Sequence, residues 1–132
     1  MGLPIISSWK KGSRHKSIDI HLVEKLEANI NKVKKENIKV NFYKKIPKKW
    51  EGDVIFFAVK PQDFKNVAKE INLNNVLFKN VVSIMAGITT SKIRSYLKTQ
   101  TSVTRVMPNL AVEVNLGVNC KFHSSNSKNL FK

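Results

Sequence analysis

The sequence is poor in cysteine and in long apolar runs, and both shortages exclude classes of protein. Its 132 residues contain one cysteine, Cys120, which cannot form an internal disulfide. None of the three histidines stands at metal-ligand spacing from that cysteine or from another histidine, so we expect no metal site. No apolar stretch approaches the roughly 20 residues that span a bilayer, and the N-terminus lacks a signal-peptide pattern. We therefore expect a cytoplasmic protein that does not associate with membranes.

Negative charge and arginine are also scarce. The chain has 24 lysines and arginines against 9 acidic residues, which gives a net charge of +15. Such an excess is typical of proteins that bind nucleic acid or an anionic surface. However, only Arg14, Arg94 and Arg105 are arginines, whereas phosphate and base recognition favours arginine. The lysines lie on the polar faces of helical patterns without an aromatic stacking platform. We expect no specific nucleic-acid binding, and a basic nucleic-acid-binding protein is kept only as an alternative.

Short apolar segments alternate with helical patterns along the chain. We predict strands at IDIHLV (18–23), IKVNFY (38–43), VIFFAV (54–59), VVSIM (81–85) and SVTRVM (102–107), and a further strand around Gly117 to Phe122. The predicted helices carry apolar positions at helical spacing: Leu26, Ile30 and Val33; then Phe64, Val67, Ala68 and Ile71; then Ile93, Tyr96 and Leu97, with Thr90 or Ser91 as the cap. VIFFAV is continuous, which indicates a strand buried on both faces. This alternation predicts an α/β fold with a mostly parallel sheet and flanking helices.

Three of the predicted strands end in similar turns. Lys60-Pro61 follows VIFFAV, Ala86-Gly87 follows VVSIM, and Pro108-Asn109 follows SVTRVM. A proline at such a place leaves no N–H unsatisfied, and its fixed φ leads the chain into a helix. Ligands of open α/β sheets bind outside the carboxyl ends of the strands. We therefore expect the three turns to border one ligand cleft.

The segments DVIFFAVKPQDF, VVSIMAGIT and RVMPNLAVEVNLGV, in this order and separated by helices, resemble pyrroline-5-carboxylate reductase. That family reduces 1-pyrroline-5-carboxylate to L-proline with NADPH or NADH, so the resemblance implies a Rossmann-like dinucleotide-binding domain and a place in proline biosynthesis. The opening MGLP resembles the end of the family's glycine-rich turn. The resemblance implies cofactor contacts at Gly2, Val59, Lys60, Pro61, Ala86, Gly87 and Asn109.

Two parts of the family pattern are missing from the sequence. The first strand and the first glycines of the turn would precede Met1, and that strand is central in the order 3-2-1-4-5-6, so its two neighbours lose a ladder partner. The family's C-terminal helical domain, which forms the dimer and much of the substrate site, would begin near residue 124. We expect an incomplete Rossmann-like domain in residues 1–123 and a polar tail in residues 124–132. NADP or NAD binding would be weakened, and a second-half polypeptide would be the missing partner.

Glu24 follows the strand of residues 18–23, about 20 residues beyond the glycine turn. An acid at this place normally accepts hydrogen bonds from the adenine ribose and repels a 2′-phosphate, which favours NAD over NADP. The alternative is an exposed glutamate in a first helical turn, where its charge interacts favourably with the helix dipole. Both interpretations stay open here. Lys44-Lys45 stands where the family has a ribose-contacting asparagine.

The sequence offers no general acid with a partner, so we assign no catalytic residue. In the family the hydride comes from the cofactor, and the protein holds the nicotinamide close to the imine carbon. The expected function is therefore that of a pyrroline-5-carboxylate reductase fragment that is inactive alone. A non-enzymatic nucleotide-binding or interaction module is the second alternative.

Overall fold

The computed structural model describes residues 5–7, 18–107 and 120–123, the last four for their backbone only. Strands and helices alternate along these ranges. They are β1 (Ile20–Val23), α1 (Glu27–Lys35), β2 (Val40–Tyr43), β3 (Glu51–Phe57), α2 (Phe64–Leu73), β4 (Leu77–Ser83), α3 (Thr90–Leu97), β5 (Ser102–Met107) and β6 (Cys120–His123), with a 3₁₀ turn at Pro61–Asp63 before α2. Residues 5–7 are helical. The predicted α/β fold with parallel strands is confirmed.

The strands form two hydrogen-bonded sheets. β1 and β2 pair in parallel, with Ile20 opposite Val40. The second sheet has the order β3-β4-β5-β6, in which β3, β4 and β5 are parallel and β6 is antiparallel to β5. Within the described ranges, β1 has one ladder neighbour, β2, and β3 has one ladder neighbour, β4.

The described residues divide into two compact units. The first contains β1, α1 and β2, and the second begins at Pro47 and contains the four-stranded sheet with α2 and α3. In the first unit, α1 buries Ile30 and Val33, as predicted. Leu26, which was assigned to the same stripe, is 63% exposed. That assignment was wrong because Leu26 is extended and precedes the first helical turn.

The core of the second unit is organised around Phe64, which is fully buried. Its ring meets Phe57 of β3 edge-on at 5.1 Å between centroids and Tyr96 of α3 at 5.8 Å. Edge-to-face pairs of this kind add attraction beyond the area that they bury. Other fully buried side chains of the same unit come from the two central strands and α3: Val81, Val103 and Ile93. Phe64 thus joins β3, α2 and α3.

β3 begins earlier and ends sooner than its predicted range of residues 54–59. Gly52 pairs with Phe78 in the ladder, and the Trp50 ring covers the place where a Cβ at Gly52 would lie. Gly52 is thus a strand residue that makes room for the Trp50 indole. β4 likewise begins at Leu77 rather than at Val81, because its outer residues pair with the polar start of β3.

The first half of β3 is not buried on both faces as predicted. Val54 is 39% exposed. Asp53 is exposed as well, and its carboxylate pairs with Lys79 of β4 at 2.7 Å. The hydrogen bond from Lys79 to Asp53 raises the pKa of Lys79 above its ordinary value of 10.5. β3 therefore has a solvated beginning and a buried end at Phe57.

Two smaller predictions also need correction. The cap of α3 is Thr89, whose Oγ1 accepts a hydrogen bond from the Lys92 N–H at 3.2 Å, rather than Thr90 or Ser91. Both of those residues already lie inside the helix, because it starts at Thr90. The last predicted strand is observed as β6, which starts at Cys120, and residues 117–119 lie outside the described ranges.

Replacing Phe64 with alanine should lower the free energy of unfolding by about 3–5 kcal/mol, because the variant removes a fully buried ring. Leu73→Ala in the same helix is the matched control; Leu73 is 70% exposed, so its loss should stay within about 0.5 kcal/mol. Urea denaturation followed by circular dichroism measures both. If Phe64→Ala does not fold, Phe64→Leu, which keeps part of the apolar volume, should cost less than the alanine variant and more than the Leu73→Ala control. Equal losses at the two positions would contradict the assignment of Phe64 to the core.

Candidate functional site

Five of the eight predicted cofactor-contact residues lie in the turns that follow β3 and β4. Phe57 of β3 pairs in parallel with Ser83 of β4, so the two strands end side by side. The Ile84 N–H continues this contact by donating to the Phe57 carbonyl at 3.1 Å. The residues in question are Val59, Lys60 and Pro61 after β3, and Ala86 and Gly87 after β4. All are exposed except the half-buried Val59, so solvent and ligands have access to both turns.

The turn after β3 is shaped by its proline. Lys60 is extended, with φ −65° and ψ 142°, as expected of a residue that precedes proline. Pro61 starts the 3₁₀ turn, and the Asp63 N–H donates to the Lys60 carbonyl at 2.9 Å. The chain therefore leaves the buried strand and enters α2 without leaving an N–H of residue 61 to be satisfied. Lys60 has its backbone fixed and its side chain in solvent.

The turn after β4 is anchored by buried residues and ends in an open glycine. The Met85 N–H donates to Ser83 Oγ at 3.2 Å, and both residues are buried. Gly87 has φ +70°, a left-handed conformation in which residues other than glycine are strained. A Cβ added at Gly87 would meet no atom within 4 Å. The glycine thus provides both a backbone turn and free space, and a flat ligand group can approach its main chain closely.

The other three predicted residues are not placed in this group by the described structure. Gly2 and Asn109 lie outside the described residues. Glu24 belongs to the first unit, where it follows β1. Its Oε1 accepts a hydrogen bond from the Leu26 N–H at 2.9 Å, and its Oε2 accepts one from Asn29 Nδ2 at 3.0 Å. Both carboxylate oxygens are therefore in contact with the start of α1.

A small cavity in the first unit was not predicted. It has a volume of about 200 Å³ and is lined by Glu27, Ile30, Lys34, Phe42, Tyr43 and Lys44. Lys44 Nζ lies 3.1 Å from Glu27 Oε2, and Lys34 Nζ lies 5.6 Å from the centre of the Phe42 ring. No sequence motif marks this group, because its members are brought together only when α1 packs beside β2.

A polar network also joins β1 to β2. His21 Nε2 lies 3.0 Å from Asp19 Oδ2, and His21 Nδ1 lies 3.1 Å from the Tyr43 hydroxyl. Asn41 Nδ2 donates to the other oxygen of Asp19 at 2.9 Å. His21 is opposite Asn41 in the ladder, so the network ties the two strands in register. Its signal in the sequence is weak: polar residues at alternate positions of two short strands.

The described residues contain no group of three or more His, Cys, Asp or Glu side chains arranged to hold a metal ion. Across the same residues, no helix is both long enough and apolar enough to pass through a membrane.

Comparison with known proteins gives one family match and several related enzymes. Residues 9–87 match the family model described as "NADP oxidoreductase coenzyme F420-dependent". The chain is similar to a pyrroline-5-carboxylate reductase of Staphylococcus epidermidis, with 33% identity over 97 residues, or 73% of this chain and 36% of that protein. Another, from Vibrio alginolyticus, is 38% identical over 72 residues, which cover 54% of this chain and 26% of that protein. The matched region thus spans about a third of the length of the first relative and about a quarter of that of the second.

Solved structures of pyrroline-5-carboxylate reductases have the same fold. The Coxiella burnetii structure gives a TM-score of 0.71 at 21% identity, over 93% of this chain and 45% of that one. The Plasmodium falciparum pyrroline carboxylate reductase, solved with NADP bound, gives a TM-score of 0.61 at 15% identity, over 96% of this chain and 45% of that one. The fold expected from the sequence is confirmed by both.

Substitutions at Gly87 should separate backbone strain from lack of space. Gly87→Ala should lower the free energy of unfolding by about 1 kcal/mol, because alanine is strained at positive φ while the added Cβ meets open space. Gly87→Asn should cost less, since asparagine adopts this conformation more readily. Chemical denaturation of the three proteins measures the order. A larger loss for asparagine than for alanine would contradict the open space at Gly87.

Proposed function

The chain belongs to the family described as NADP oxidoreductase, coenzyme F420-dependent, and we propose that it is the cofactor-binding portion of a pyrroline-5-carboxylate reductase. The observation that carries the proposal is the parallel placement of the Lys60-Pro61 and Ala86-Gly87 turns at the ends of β3 and β4. The two relatives compared above are pyrroline-5-carboxylate reductases, which agrees with the resemblance in the motifs of this chain. They are also much longer than the matched region.

The two turns suit the nicotinamide end of a dinucleotide. An extended ligand can contact the fixed backbone of Lys60 and Pro61 on one side and approach the main chain of Gly87 on the other. Their main-chain groups require no side-chain rearrangement to meet a ligand, so little ordering cost arises on binding. Gly2 and Asn109 belong to the proposed contacts through the family motifs alone. Asn109 would lie beside the nicotinamide, after β5.

The residues at the two turns would bind and orient the nicotinamide. They would not transfer a proton, because none of them is a proton donor with a partner. When bound, the reduced nicotinamide supplies the hydride. Gly87 would permit the close approach that fixes the nicotinamide face, and Pro61 would keep the β3 turn from moving. The Lys60 ammonium would stay in solvent, so its contribution comes from the backbone. Positioning of this kind can supply several kcal/mol of a barrier, provided that the reacting atoms are held in contact.

The substrate of the complete enzyme would be 1-pyrroline-5-carboxylate, and the pathway would be proline biosynthesis in the cytoplasm. In our proposal the imine and its carboxylate are held mainly by a C-terminal helical part that corresponds to the length of the relatives beyond the matched region. A separate second-half polypeptide could supply that part. The chain alone would bind cofactor more weakly than the complete enzyme and would turn over no substrate.

Binding of the cofactor is the first test. Titration of the chain into NADPH and into NADH, followed by nicotinamide fluorescence, should give saturable binding. Gly87→Asn should weaken it roughly tenfold, because asparagine tolerates the backbone but fills the space that the nicotinamide would occupy. Leu73→Ala, on an exposed surface of α2, should bind like the original chain. Absence of binding at millimolar nucleotide would contradict the proposal.

Reconstitution is the second test. The chain should be mixed with a polypeptide that carries the part of the Staphylococcus epidermidis relative beyond the matched region. With NADPH and 1-pyrroline-5-carboxylate, nicotinamide absorbance should fall in the mixture but not with either half alone. The same mixture made with Gly87→Asn should be slower by roughly tenfold or more. A flat trace from halves that form a stable complex would contradict the catalytic part of the proposal.

A further inference from the structure

Glu24 is committed to α1 by two hydrogen bonds. Oε1 accepts from the Leu26 N–H at 2.9 Å, and Oε2 accepts from the Asn29 side chain at 3.0 Å. Leu26 occupies the cap position of α1 and has no side-chain oxygen to offer. The first N–H groups of a helix lack intrahelical partners and carry a partial positive charge. The Glu24 carboxylate therefore accepts the N–H of the cap residue Leu26 and brings a negative charge to the start of α1.

In dinucleotide-binding domains, an acidic residue at this place is expected to bind the adenine ribose. The contacts of Glu24 differ from that expectation. Ribose binding needs a carboxylate that accepts hydrogen bonds from the ribose hydroxyls. In Glu24 each oxygen is already an acceptor toward α1. Turning the carboxylate toward a ribose would break both hydrogen bonds and leave the exposed Leu26 N–H to water. We therefore expect Glu24 to keep both of its hydrogen bonds to α1.

The charge beside Glu24 is positive. The Glu24 N–H donates to the Tyr43 carbonyl at 2.9 Å, so the residue after Tyr43, Lys44, lies at the same strand ends as Glu24. Lys44 also lines the cavity of about 200 Å³. Its ammonium pairs with Glu27, and the two side chains are 71% and 58% exposed. Exposed pairs of this kind contribute little, so Lys44 can exchange the Glu27 carboxylate for a doubly charged phosphate.

We propose that Glu24 is a positioning residue for α1 rather than the reader of the adenine ribose, and that Lys44 makes this chain select NADP over NAD. The selectivity rests on the proposed cofactor function, whereas the capping role of Glu24 does not. Lys25 and Lys45 are further cations near these strand ends, and both are exposed. Lys34 is less suited to the role because its ammonium lies over the Phe42 ring.

The test compares four single variants with the original chain: Glu24→Gln, Asn29→Ala, Lys44→Gln and Lys45→Gln. Glu24→Gln removes the charge, and Asn29→Ala removes one hydrogen bond but keeps the charge. Lys45→Gln is the matched control, since it removes the same charge from the neighbouring residue. Dissociation constants for NADPH and NADH, from nicotinamide fluorescence, give the selectivity. Thermal unfolding without nucleotide gives stability.

Glu24→Gln should lower the melting temperature by several degrees, and Asn29→Ala should lower it less. Both should leave the ratio of the two dissociation constants unchanged within about twofold, because neither residue contacts the ribose. Lys44→Gln should weaken the binding of NADPH roughly tenfold, since a charge-assisted hydrogen bond to the 2′-phosphate is lost. The binding of NADH should be unchanged. Lys45→Gln should change neither constant by more than about twofold.

Several outcomes would overturn the inference. If Glu24→Gln weakens NADH and strengthens NADPH, then Glu24 reads the ribose. An unchanged melting temperature would refute the capping role. Equal effects of Lys44→Gln and Lys45→Gln on NADPH would refute the specific role of Lys44. If the original chain binds neither nucleotide, the proposed function itself fails, while the melting temperatures still decide the capping role.

Discussion

The parallel pairing of β3 with β4 is the interaction on which the proposed site depends. Parallel strands run in the same direction, so their carboxyl ends meet at one edge, and Phe57 opposite Ser83 sets where that edge lies. The Phe64 ring then holds β3 against α2 and α3 directly beyond the edge. The exposed turns can therefore stay free for a ligand, because the buried residues next to them fix their position.

Much of this arrangement could be predicted because its physical causes are local in the sequence. β5 was predicted at its observed bounds, residues 102–107, since a short apolar run ended by a proline has few alternatives. The stripe of α2 was also predicted, although Val67 is half-buried and not in the core. In contrast, the early start of β3 depends on the Trp50 ring over Gly52, a tertiary contact that no local pattern indicates. Turn residues were easier to predict than strand beginnings.

Glu24 illustrates a second limit of sequence rules. Its position after β1 fits two interpretations equally well, because the same carboxylate could serve a ribose or a helix. The deciding fact is the identity of the next residues: Leu26 at the cap position has no side-chain acceptor, and Asn29 stands one turn later with an amide to donate. The geometry thus supports the interpretation in which Glu24 serves the helix.

The single-sided pairing of β3 has a consequence for how copies of the chain behave toward one another. In the part of the chain that the structure describes, β3 has a ladder neighbour on one side only, and Val54 adds exposed apolar surface. Such strands tend to self-associate. The net charge of +15 opposes that tendency by electrostatic repulsion between molecules. The lysines that first suggested nucleic-acid binding would then oppose association of molecules through β3. This effect would be strongest at low ionic strength, where screening is weak.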